Sequence, residues 1–140
     1  HNPVAFASYG HTLALNGRPA EAIAPIELAL RLSPRDALRA EWQYRLAFAH
    51  FMLNQYEQAR DWSQTAQISN PNLPWPPIHA AALVRLGYKA EGKLVLDDLL
   101  LRHPKYAIND DIGQRLAGTD PLVVETRDRL VASLREIGLP

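Results

Sequence analysis

The amino-acid sequence predicts an all-α fold of about three stacked antiparallel helix pairs, followed by a C-terminal helix. Three observations carry this reading. Small residues, turn formers and prolines recur at fixed offsets over the first 104 residues. Apolar residues recur at helical spacing, and no segment alternates apolar with polar residues as a half-buried strand does. A chain of 140 residues is long enough for one such array with a sizeable core.

The offsets start at Gly10, which Gly17, Ala22 and Pro34 follow by 7, 12 and 24 residues. Ala47, Asn54, Ala59 and Pro71 repeat them, and Ala80, Gly87, Gly92 and Pro104 repeat them again. Gly10, Ala47 and Ala80 are small enough for a first helix to approach its partner closely. Ala22, Ala59 and Gly92 supply the matching small residue on the second helix. Gly17, Asn54 and Gly87 sit where the chain must reverse, and Gly or Asn tolerates the left-handed conformation that ends many helices. Pro34, Pro71 and Pro104 stop the second helix, because proline has no amide donor and disfavours helix at the residue before it.

The run Phe6, Tyr9, Gly10, Leu13, Gly17, Ala22, Ile26, Ala29, Leu32 and Pro34 resembles the tetratricopeptide repeat in residue type and spacing. The later units keep the small residues and prolines. They place His50 and Ser63, then Pro76 and His79, where that family usually has large apolar groups. The resemblance implies an alpha-alpha superhelix, a right-handed solenoid, of three units over residues 1–104 (about 3–36, 37–73 and 74–106) with a helical cap over 105–140. Successive prolines lie 37 and 33 residues apart, against about 34 for the family. The twelve-residue offsets hold inside each unit, so the length changes fall in the joints around 36–41 and 72–75.

First helices are expected near residues 3–16, 37–53 and 76–86, and second helices near 19–32, 56–69 and 89–102. Ala22, Ile26, Ala29 and Leu30, like Leu94, Leu96, Leu99 and Leu100, set the helical period of the second helices. A short helix is expected within 106–116, ending near Gly118. Asp120 followed by Pro121 starts a last helix, with an N-cap side chain and a proline in the first turn. Leu122, Val123, Leu130, Val131, Leu134 and Ile137 give it an apolar stripe, and Gly138 ends it. Such a helix is expected to cap the array and hide the apolar face of the final unit; a partner-binding helix is the alternative.

Lys plus Arg equals Asp plus Glu, 15 against 15, so no net field steers the chain to nucleic acid or an anionic membrane. With no cysteine there is no disulfide, thiolate metal site or cysteine nucleophile. No apolar stretch reaches the roughly 20 residues that span a bilayer, and cytoplasm is the default compartment. The chain begins at His1 inside a repeat, which reads as a piece of a longer protein.

Phosphate-loop, nucleophile-elbow, metalloprotease and calcium-loop motifs do not occur. Asn109, Asp110 and Asp111 lack the ligand alternation of a calcium loop and read as solvated or capping acids. Of His1, His11, His50, His79 and His103, no two lie three or four residues apart, the spacing that brings two imidazoles to one metal. His50 and His79 read as core or hydrogen-bonded histidines. Glu21, Glu27, Glu57, Asp61, Asp97 and Asp98 fall on second helices, an outer solvated layer. No catalytic residue, metal or cofactor is expected.

The family resemblance implies that ligands sit on a concave side lined by the first helices. Helical spacing puts Val4, Ser8, His11 and Leu15 there, then Tyr44, Arg45, Phe48 and Met52. An exposed Phe and Met beside a Tyr suit an amphipathic helix or an extended apolar peptide. The open alternative is that these side chains pack on the third unit or the last helix. Some family members grip a chaperone's terminal carboxylate with Lys, Asn and Arg; here His11 and Phe48 stand where Asn is needed, and only Arg45 fits.

The runs NGRPAEAIAPIELALRLSPRD, LAFAHFMLNQYEQARDWSQTA and DPLVVETRDRLVASLREIGLP resemble the repeat region that follows the catalytic domain of bacterial class III adenylate or guanylate cyclase-like proteins. Similar arrays follow winged-helix domains in bacterial transcriptional regulators. The resemblance implies a non-catalytic interaction, regulatory or scaffolding module whose partner is a protein, a peptide or a neighbouring domain of its own chain. The alternatives are a homodimerisation element, a sensor region of a regulator, and a contribution to an enzyme through a pocket around His11, Tyr44 and Arg45.

Overall fold

A computed structural model describes residues 2–72 and 74–140. His1, and Leu73 in the shortened second joint, lie outside the described residues. The described chain is all-helical, with no strand among the described residues. Three antiparallel pairs come first: α1 (Pro3–Leu15) with α2 (Pro19–Leu32), α3 (Arg39–Met52) with α4 (Tyr56–Ser69), and α5 (Ile78–Arg85) with α6 (Lys89–Arg102). Two further helices follow, α7 (Ile108–Arg115) and α8 (Pro121–Arg135).

Local chemistry explains several boundaries. Asn2 caps α1 by accepting from the Val4 amide at 3.0 Å, with Pro3 in the first turn. Asp120 caps α8 by accepting from the Leu122 amide at 2.9 Å, with Pro121 next. The reversals between paired helices use left-handed residues: φ is 78° at Gly17, 59° at Asn54 and 93° at Gly87.

Small residues close each pair. Ala22, Ala47, Ala59 and Ala80 are fully buried. A Cβ on Gly10 would lie 2.6 Å from Ile26 Cγ1 and 2.7 Å from the Ala22 carbonyl oxygen, so even a methyl group does not fit there.

The third pair is unlike the others. α3 has 14 residues and α5 only 8, because Pro74, Pro76 and Pro77 occupy what would be the first turns of α5. The start expected near 76 therefore falls at Ile78. Trp75 in this segment is buried and stacks on Tyr44, ring centroids 5.2 Å apart.

The helices form layers. α1, α3 and α5 lie side by side; α2 packs on α1 and α3, α4 on α3 and α5, and α6 on α5. α8 adds a third layer, lying on α5 and α3, with α7 beside it. The C-terminal helix thus falls on α5 of the last pair and not on α6. The stripe of α8 does not hide the outer face of α6, where Leu94 is 69% and Leu101 81% exposed. Val123, Leu130 and Leu134 are buried against the first-helix layer instead.

Candidate partner-binding face

The face expected to receive a partner is the one that α7 and α8 cover. Phe48 and Met52 are each 2% exposed and Tyr44 8%, while His11, Leu15 and Arg45 are half-buried. An exposed Phe and Met beside a Tyr is thus corrected to an apolar centre already occupied by the chain itself. Val4 and Ser8, at the start of α1, remain exposed.

α8 crosses the C-terminal ends of the first helices in sequence order. Its cap, Asp120, sits against Gly17, where a Cβ would strike the carboxylate. Its middle is fastened by Arg129, whose side chain is only 9% exposed. Arg129 Nη1 donates to the Phe51 carbonyl at 2.8 Å and to the Tyr56 hydroxyl at 2.9 Å, and Arg129 Nε pairs with Glu125 at 2.9 Å. The guanidinium also lies 4.9 Å from the Phe51 ring centroid. One planar donor fork thus joins the end of α3 and the start of α4 to α8, which fixes the register of α8 on the array. Further along, Lys89 pairs with Glu136 at 2.8 Å, both exposed and contributing little.

α7 and its C-cap present Ile108, Ile112 and Leu116 inward, all buried at four-residue spacing. Arg115 lies over the Tyr44 ring at 5.9 Å and pairs with Asp111 at 2.9 Å. Asp111 also accepts from the Tyr106 hydroxyl. Burial, then this hydrogen bond, holds the Tyr106 phenol well above its usual range. Asp111 is therefore engaged, while Asn109 and Asp110 are exposed.

His11 lies edge-on to Phe48, centroids 6.3 Å apart, and its buried Nδ1 has no hydrogen-bond partner. Burial, with the nearby Arg45 and Arg115 charges, lowers its pKa to about 4, so the imidazole is neutral at pH 7. His50 Nδ1 meets Gln55 Oε1 at 2.7 Å, and His79 Nδ1 meets Gln67 Oε1 at 3.3 Å. Most second-helix acids are surface groups in local pairs, such as Arg18 with Glu21, Lys93 with Asp97 and Arg102 with Asp98.

Arg115, Arg129, Trp75 and Tyr106 are the residues that sequence reasoning missed. Each is used once and lies outside the repeated positions. The spacing of Ile108, Ile112 and Leu116 was a readable signal for a buried α7.

Among the described residues no group of three or more His, Asp or Glu side chains is placed to hold a metal ion, and no helix is long and apolar enough to cross a membrane. The chain matches no protein-family model and no curated protein.

Proposed function

We propose that this chain is a non-catalytic interaction module of tetratricopeptide type, a short right-handed solenoid that regulates or scaffolds a larger bacterial signalling protein. A class III adenylate or guanylate cyclase is the parent we favour. The observation that carries the reading is a backbone one: three helix pairs reverse through a left-handed residue at the same place in the repeat, Gly17, Asn54 and Gly87. Joined pairs that bury small residues against each other cannot close a core singly, and stacking them yields extended faces suited to recognition rather than a cleft for catalysis.

Homodimerisation is the second reading, and Leu94 and Leu101, both largely exposed on α6, favour it. In-cell cross-linking followed by binding of the purified cross-linked protein separates the two. A stable one-to-one complex with a different protein or with a neighbouring catalytic domain supports the module. A concentration-dependent dimer mass with no such complex supports homodimerisation. Turnover of ATP or GTP by the purified chain alone overturns both.

A further inference from the structure

The face that the repeat would ordinarily offer is filled by α7 and α8, so recognition needs another surface. The second helices supply one. α4, α5 and α6 border a cleft of about 430 Å³ lined by Gln67 and Ile68 of α4, His79 of α5, and Glu91, Leu94 and Leu99 of α6.

Ile68 is 75% exposed at its edge and Leu94 69%. Leu101, 81% exposed, lies seven residues beyond Leu94 and so continues the same face of α6. Leu94 and Leu101, about 10 Å apart along α6, together with Ile68 of α4 outsize a small ligand and match an apolar helical stripe.

The polar floor sets the charge of the occupant. Asp98 is paired with Arg102 and Asp97 with Lys93. Glu91 joins no such pair among the described residues. His79 is 8% exposed, and burial lowers its pKa while the Glu91 charge opposes that shift. With its Nδ1 proton given to Gln67 Oε1, neutral His79 keeps Nε2 as an acceptor. A carboxylate and a ring acceptor in one cleft complement a basic side chain.

We infer that the α4–α6 cleft is the docking site for an amphipathic helix of a partner protein, whose apolar stripe covers Ile68, Leu94 and Leu101 and whose Lys or Arg enters toward Glu91 and His79. This rests on the interaction-module reading and moves the contact from the first helices to the second.

The test is a titration of the isotope-labelled chain with two synthetic amphipathic helices of about 18 residues, one Leu/Lys and one Leu/Glu, followed by amide chemical shifts. The Leu/Lys peptide is expected to shift amides of α4 and α6 and to bind about tenfold more tightly than the Leu/Glu peptide. Leu94→Glu weakens it about tenfold and Glu91→Gln about threefold, while Val4→Glu, on the first-helix side, leaves it unchanged. Shifts confined to α1 and α3, equal binding of both peptides, or no loss with Leu94→Glu would overturn the cleft. The interaction-module reading fails separately, by the cross-linking experiment above.

Discussion

Between residues 3 and 102 the same few contacts are used three times, whereas α7 and α8 are held by contacts that occur once. In the array a small residue faces a small residue, a left-handed residue turns the chain, and each second helix but the last leans on the next first helix. In the C-terminal pair a single arginine reaches the end of α3, a second lies over one tyrosine, and the buried stripes of Ile108, Ile112 and Leu116 and of Val123, Leu130 and Leu134 fill what remains. Repetition states each requirement of the array three times, although each small-residue contact is still needed where it stands. The C-terminal pair has no such repetition: its buried apolar stripes hold it down and its few polar anchors set its register.

Substitutions that strike one region or the other put this contrast to the test. The largest effect belongs to the array. Gly10→Leu forces a side chain into space already held by Ile26 and the Ala22 carbonyl, and is expected to lower the unfolding free energy by about 3 kcal/mol or more in urea titration. A variant as stable as the parent would mean that the pairs are not closed by small residues.

Acid acts at the seam between the regions. His11 has a folded-state pKa of about 4 against 6.5 when unfolded, so the unfolded chain binds the proton first as pH falls. The stability contributed by its neutrality is complete above about pH 6.5 and is lost from there down to about pH 4, roughly 2–3 kcal/mol in all. His11→Gln should lack that portion of the acid loss in urea midpoints measured at pH 7 and pH 4. Equal acid losses would place His11 outside the seam.

Arg129→Met keeps an unbranched apolar stem but removes the donors to Phe51 and Tyr56. It is expected to cost about 2 kcal/mol and to accelerate hydrogen exchange in α8 more than in α1 or α2. Uniform acceleration would show that the C-terminal pair is not separately held.

The smallest effect has the opposite sign. Gly113 lies inside α7 with nothing within 4 Å of an added Cβ. Gly113→Ala should therefore stabilise by up to about 1 kcal/mol, read as a small rise in Tm.

The same contrast decides what the sequence could disclose. Helix pairs and their turns are legible because a requirement stated three times, as at Gly17, Asn54 and Gly87, stands out against chance. The cap of α8 is legible because Asp120 followed by Pro121 is a local signal. The place where α8 lies is not local, and Arg129 in sequence is one exposed-looking arginine among several. That misplacement propagated to the site: Tyr44, Phe48 and Met52 face the direction expected of a groove, but the groove is filled. The shortened α5 left a trace in the prolines at 74, 76 and 77, whereas the cleft bordered by α4, α5 and α6 arises from tertiary packing, which spacing does not encode.

The course of α8 changes what kind of object the array is. A stack of repeats is ordinarily a one-dimensional chain of neighbours, free to fray from either end and to unfold piecemeal. Here one strut begins at the turn of the first pair, is pinned at the end of the second and finishes beside Lys89 of the third. Its contacts join residues far apart in sequence, so the molecule forfeits the rapid folding that purely local contacts permit. In return the three pairs are laced into a single cooperative unit, in which none can melt without loosening the others.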